Sequence, residues 1–129
     1  GLGLLDVATT LIGDKVLRPV SGRIASNGAC FEGYEMHVGR TVGPGTTRPF
    51  LTIGTGTPDG AISRDGRIAG AYVHGLFNKA EARTGLLAMM GAQLNSQDQA
   101  VVVDTALDDL AAALERSVAI DELALIAGL

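Results

Sequence analysis

Residues 67–77, RIAGAYVHGLF, carry the passage on which the fold turns. Arg67 to His74 is almost continuously apolar and reads as a strand buried on both faces. His74-Gly75 ends it, and the hydrophobic period then changes. Ala82, Leu86, Leu87 and Met90 recur at helical spacing, and Asn78 is placed as an N-cap, which predicts a helix through about Leu94. A strand passing through a short loop into a helix marks an α/β chain.

Upstream, strands and turns dominate. Residues 31–41, FEGYEMHVGRT, alternate: Phe31, Gly33, Glu35, His37, Gly39 and Thr41 point one way, Glu32, Tyr34, Met36, Val38 and Arg40 the other. Gly43-Pro44-Gly45 breaks that strand, and Phe50 to Ile53 reads as a short one. Pro58-Asp59-Gly60 reads as a turn, and Arg64-Asp65-Gly66 as the turn of a hairpin. Downstream, residues 100–103 (AVVV) read as a short strand or an apolar connection. Leu107, Leu110, Ala111 and Leu114 share a helical face, with Asp108 and Asp109 near its start, where acids suit the helix dipole. Residues 121–127 read as a last helix ended by Gly128.

Composition follows the same division. Glycine supplies 18 of 129 residues, roughly twice its usual share, and 16 of them lie in residues 1–85. Residues 1–97 carry a net charge of +2 and residues 98–129 a net of −6, giving −4 overall. That balance argues against a nucleic-acid partner, whose footprint would be basic. No apolar run is long enough to span a membrane and no signal-peptide pattern opens the chain, so a cytoplasmic protein is expected. With one cysteine, Cys30, neither a disulfide framework nor a multi-cysteine zinc site is available, and no metal site is expected. No linker or repeat divides residues 1–129, which read as one domain.

Few motifs carry chemistry. Gly54-Thr55-Gly56-Thr57-Pro58-Asp59 resembles the start of a dinucleotide fingerprint but lacks its third glycine, and Pro58 blocks the helix start. No P-loop and no nucleophile elbow is present. Cys30 lacks the flanking glycines of such an elbow and reads as a small apolar residue. Glu35 and His37 share a strand face between Gly33 and Gly39, so the carboxylate can set the imidazole tautomer, either in a site or as a hydrogen-bonded structural pair. His74 stands at the carboxyl end of a strand, where α/β sheets place their ligands, and suits general acid–base work; any orienting partner, Glu35 or a backbone carbonyl, must come from elsewhere. Arg23, Arg40 and Arg48 are candidates to meet an anion, or are solvated surface residues.

Taken together, GLGLLDVATTLIGDK (1–15), GYEMHVGRT (33–41), PF (49–50), DGAISRDGRIAGAYVHGLF (59–77) and the acidic helical tail from Asp108 resemble the C-terminal part of the cobyric acid synthases, glutamine-dependent amidotransferases of cobalamin biosynthesis. Cobyrinic acid a,c-diamide synthases share the strand-His-Gly feature and fit GLGLLDV less well. The resemblance implies the C-terminal portion of a class I glutamine amidotransferase-like (flavodoxin-like) domain: strands with antiparallel hairpins, then C-terminal helices. It implies ligase chemistry in which a cysteine thiolate attacks glutamine, a histidine assists, and ammonia amidates ATP-activated b, d, e and g carboxylates of a corrin substrate, (adenosyl)cobyrinic acid a,c-diamide. ATP and Mg would serve an upstream domain of the same enzyme, with none bound by this segment.

Residue by residue, His74 matches the catalytic histidine. Tyr34, Glu35 and His37 match the strand flanking the glutamine pocket, which implies a supporting role for them as substrate-pocket residues. Leu76 stands where many class I enzymes place a triad glutamate, so a Cys-His dyad is implied. The nucleophilic cysteine would precede Gly1, Cys30 does not match it, and the segment alone is expected to be inactive. Without the strands of the missing half, exposed apolar surface favours self-association. A non-catalytic binding or structural module on the same scaffold is the alternative.

Overall fold

The computed structural model describes residues 2–93 and 97–128. The chain forms two compact units, Gly1–Ser96 and Gln97–Leu129. Their boundary falls where the sequence turns from glycine-rich and mildly basic to acidic and helical.

The first unit is built on a hairpin of β2 (Val16–Ile24) and β3 (Cys30–His37), paired in antiparallel register from Val16 opposite His37 to Arg23 opposite Cys30. Its turn is closed locally: the Ala29 N–H donates to Asn27 Oδ1 at 3.0 Å and the Gly28 N–H to the Ile24 carbonyl at 2.8 Å. Strands β5 (Leu51–Ile53), β6 (Thr57–Asp59) and β9 (Val73–His74) extend the hairpin into one sheet of order β6-β5-β2-β3-β9, antiparallel throughout. Pro19 is tolerated in β2 because β5 reaches only Gly22 to Ile24, leaving the proline side of the strand without a ladder partner. Gly22 has no such freedom: a Cβ there would lie 2.0 Å from the Thr52 carbonyl oxygen.

Two further pairs flank the sheet, β1 (Ala8–Thr10) with β4 (Arg40–Val42), and β7 (Ala61–Ile62) with β8 (Ala69–Gly70). A 3₁₀ turn spans Pro44–Thr47, and helix α1 covers Ala80–Met89. Opposed residues share a sheet face, so one face collects Phe31, Ile24, Leu51 and Val73. These pack with Ala29, Phe50, Ala82 and Leu86 into the core. Phe31, Ile24 and Leu51 are fully buried, each worth roughly 1.5–3 kcal/mol. The other face carries Leu17, Tyr34 and His74, all exposed.

Several expectations hold. The 51–53 strand, the hairpin around Arg64-Asp65-Gly66 (as β7 and β8) and the last helix, α3 (Ile120–Ala127), are present, the last closed by Gly128 at φ 75°. Others need correction. The 67–74 stretch is not one doubly covered strand: β8 and β9 belong to different sheets, and Val73 is buried while His74 is exposed. Small residues make the stretch look continuously apolar. At Ala71-Tyr72 it passes from one sheet to the other, and Tyr72 stacks on His37 while its carbonyl accepts from the Met36 N–H at 3.1 Å. The 31–41 strand breaks at Val38-Gly39, where Gly39 has φ 107°, and resumes as β4.

Pro58-Asp59 forms strand β6 rather than a turn, and the chain bends at Gly60, φ 69°, but keeps its direction, the Ile62 N–H donating to the Arg48 carbonyl at 3.0 Å. Lys79, not Asn78, occupies the N-cap of α1, and Met90 ends it. Leu94 lies outside the described residues. Residues 100–103 belong to α2 (Gln99–Ser117), whose apolar stripe Val103, Leu107, Leu110 and Leu114 starts in that run. Asp108 and Asp109 are therefore mid-helix, beyond reach of the dipole's positive end. No described residue of α2 or α3 is buried. The stripe residues Val103, Leu107, Leu110 and Leu114 are exposed.

Candidate active site

The two histidines occupy opposite faces of the sheet. Glu35 and His37 lie on the core face, at its polar end. Glu35 is 8% exposed, yet two partners satisfy its carboxylate. Arg18 Nε, directly opposite on β2, donates to Oε2 at 2.7 Å, and His37 Nε2 meets Oε1 at 2.8 Å. Burial pushes this carboxyl up, but the hydrogen bonds and charges of Arg18 and His37 outweigh it and hold Glu35 below its ordinary value.

The His37 ring stacks on Tyr72 with centroids 4.7 Å apart. The Tyr72 hydroxyl closes a ring of hydrogen bonds with Thr9 and Thr41, at 3.0 and 2.9 Å, and the two threonines meet at 2.7 Å. Asp59, delivered by β6, completes the wall. Burial and the neighbouring Glu35 charge push its carboxyl up, against a hydrogen bond from the Gly60 backbone. These groups line a pocket of about 460 Å³.

His74 lies elsewhere. The register places it opposite Tyr34 on β3, and the two rings stack at 5.1 Å with planes 9° apart. Gly33 makes this placement possible, since a Cβ there would stand 2.1 Å from the His74 carbonyl oxygen. Among the described residues nothing hydrogen-bonds to the His74 ring. Glu35 does not orient it, because that carboxylate is on the other face and already engaged. The three strand residues singled out with it therefore separate: Tyr34 joins His74, whereas Glu35 and His37 line the pocket. Leu76 packs against the core.

Cys30 opens β3 on the His74 face, four residues or roughly 13 Å along the strand from Tyr34. Arg23 donates to the Gly28 carbonyl and Arg48 to the Ile62 carbonyl, at 2.9 and 3.1 Å, while Arg40 lies at the pocket rim. The Gly54–Gly56 loop joins two strands and enters no helix, so it offers no phosphate cradle for a nucleotide. Among the described residues no three His, Cys, Asp or Glu side chains gather as for a metal, and no helix is long and apolar enough to cross a membrane.

A family model, the CobB/CobQ-like glutamine amidotransferase domain, matches residues 1–82, the part that forms the sheet and the first turn of α1. The chain belongs to that family. Among its relatives, a cobyric acid synthase of Caulobacter sp. (strain K31) is 59% identical over 128 residues, 99% of this chain and 26% of the relative. Cobyric acid synthases of Methylocella silvestris and Bradyrhizobium sp. (strain BTAi1) are 47% and 50% identical over 98% and 95% of the chain, covering 26% and 25% of their own lengths. The chain thus spans about a quarter of the curated relatives it matches. No solved structure matches it.

Within this amidotransferase domain, Arg18, Asp59 and Tyr72 escaped the sequence reading. Arg18 was legible in principle, since an alternating strand over 16–24 places it opposite Glu35. Asp59 was hidden by the turn-like Pro58-Asp59-Gly60, and Tyr72 by the apparent continuity of its strand.

Proposed function

We propose that this chain works as the C-terminal part of a cobyric acid synthase, within a class I-like (flavodoxin-like) amidotransferase domain completed by preceding residues of the same enzyme. The observation that carries this reading is the near-complete coverage of the chain by relatives of that name, at up to 59% identity. The exposed position of His74, beside Tyr34 on the open face, supports it.

In this reading a cysteine thiolate attacks the glutamine side-chain carbonyl. His74 gives a proton to the departing nitrogen, so ammonia leaves and a thioester remains. Water then hydrolyses the thioester, releasing glutamate and the thiol. Tyr34 holds the His74 ring in plane, and Leu76 leaves the pair a dyad. Cys30 is the one cysteine here and stands too far along β3 to serve, so the nucleophile belongs outside these residues. ATP and Mg, at another domain of the enzyme, activate the corrin carboxylates that ammonia attacks. The open face, with Leu17 and Tyr34 exposed, is the surface for the rest of that domain, or for a second copy in its absence.

The test compares glutamate release by the full-length enzyme and by the 129-residue chain. The full-length enzyme is expected to hydrolyse glutamine and the chain alone to be inactive. Hydrolysis by the chain alone would overturn the missing-nucleophile reading.

A further inference from the structure

The glutaminase reading uses the His74 face and leaves the pocket on the other face without a task. Two buried polar atoms in that pocket have no hydrogen-bonding partner among the described residues: His37 Nδ1 and Asp59 Oδ2. Buried polar atoms are normally satisfied, so two orphans lining one cavity call for hydrogen-bond donors that the described residues do not supply. Their chemistry defines it. The ionised Glu35 carboxylate can only accept, so His37 Nε2, 2.8 Å away, carries the proton. In the neutral ring Nδ1 is then an acceptor. Asp59 Oδ2 is an acceptor as well, so the ligand must present N–H or O–H donors to both.

Charge narrows the choice. Arg18 already compensates Glu35, whereas Asp59 forms no ion pair among the described residues. Arg40 reaches the lining from an exposed position on β4. The Glu35 charge beside Asp59 also favours a cation there. An alkali ion satisfies the carboxylate but is a poor match for an imidazole nitrogen. A nitrogen bearing three or four N–H bonds matches both acceptors. The aromatic ring of Tyr72, stacked on His37, adds a π face in the same wall.

We propose that this pocket binds a primary ammonium group, either free ammonium or the amino end of a small amine, and that it is separate from the surface carrying His74. Asp59 supplies the counter-charge and His37 Nδ1 a directional acceptor. Glu35, clamped by Arg18, holds the tautomer that makes Nδ1 available.

The test uses the full-length enzyme at pH 8 and constant ionic strength. Thermal or denaturant unfolding is followed in ammonium, methylammonium, potassium and tetramethylammonium chloride. Ammonium at ten times its dissociation constant should lower the unfolding equilibrium constant about tenfold. Potassium and tetramethylammonium should do nothing, and D59N and H37Q should each abolish the ammonium response. H74A should retain it. The imidazole ¹⁵N signal of His37 Nδ1 provides a second readout that does not depend on the melt: in the parent enzyme and in H74A it should shift with ammonium and not with potassium, and in D59N it should not shift. Saturation by ammonium and not by methylammonium identifies the free ion as the source, and saturation by methylammonium identifies the amino end of a small amine. Equal effects of potassium and ammonium, no effect of any amine, or loss of the response in H74A would overturn the proposal. None of these outcomes depends on glutamine hydrolysis, so a failed glutaminase reading is distinguishable from a failed ammonium site.

Discussion

His37 and His74 lie on neighbouring strands of one sheet, yet share almost nothing in environment. His37 is packed under Tyr72 and tied to a buried carboxylate that is itself tied to an arginine. His74 is exposed, backed by a single stacked ring. The difference arises from one residue of register. Tyr34 pairs with His74, so Val73 turns to the core beside Glu35 and His74 turns away. A carboxylate two residues from one histidine thus cannot serve the other. The buried side of the sheet engages its imidazole with a carboxylate, while the open side leaves one with no hydrogen-bond partner among the described residues.

The largest expected effect tests that division of labour. In the full-length enzyme, His74→Ala should cut glutamine hydrolysis by about 10²–10⁴-fold, the usual contribution of a positioned general acid–base. It should leave the melting temperature nearly unchanged, because the side chain is exposed. His37→Ala should do the reverse, losing stability first. If glutamate release survives in H74A and collapses in a folded H37A, the two roles are exchanged and the comparison is broken.

Gly33→Ala couples the two faces. A methyl group 2.1 Å from the His74 carbonyl forces β9 away from β3. The expected cost is about 3 kcal/mol, together with a loss of hydrolysis from misplacing His74. Chemical denaturation and glutamate release on the same preparation check both. A variant of full stability would show that β9 yields freely and that the register is weakly held.

Glu35→Ala should cost less, about 2 kcal/mol. His37 is left buried without its partner, but the Arg18 side chain is 64% exposed and regains water. Glu35→Gln should recover part of the loss by keeping one hydrogen bond. The carboxyl sits below its ordinary value of 4.5, so its contribution is present above that pH and is lost as pH falls through the folded value. In E35Q that part of the acid sensitivity should disappear from urea midpoints measured between pH 3 and 6.

The sequence exposes these environments unequally. Alternation over 31–37 placed Glu35 and His37 on one face and Tyr34 on the other, because period two is a direct consequence of strand geometry. The exposed His74 was not legible. RIAGAYVH reads as buried throughout, since alanine and glycine count as apolar wherever they lie, and only pairing reveals that β8 and β9 serve different sheets. The pocket was not legible either. It joins Thr9, Glu35, Thr41, Asp59 and Tyr72 from five separate segments, and long-range pairing, not local pattern, brings them together. Resemblance to a family pointed to His74 and to the class of reaction, while the Arg18–Glu35–His37 clamp emerged from register alone.

Asp59→Asn carries the smallest effect and separates the two carboxylates of the buried face. Both feel desolvation, but Glu35 has a cation and a histidine to offset it, whereas Asp59 has the Glu35 charge beside it. Its folded value therefore lies above the ordinary 3.8. A group raised on folding favours the fold most when protonated, and that benefit is lost as pH rises from 3.8 through the folded value. At neutral pH Asp59 is thus a net cost. Replacing it with asparagine should raise stability at pH 7 by less than about 1 kcal/mol and flatten the acid-side profile in the direction opposite to E35Q. A natural sequence that keeps such a carboxylate gives up stability at that position, as expected where the group is held for a ligand. If D59N proves less stable than the parent at pH 7, Asp59 is a structural partner of the cluster, and the contrast between its two carboxylates falls.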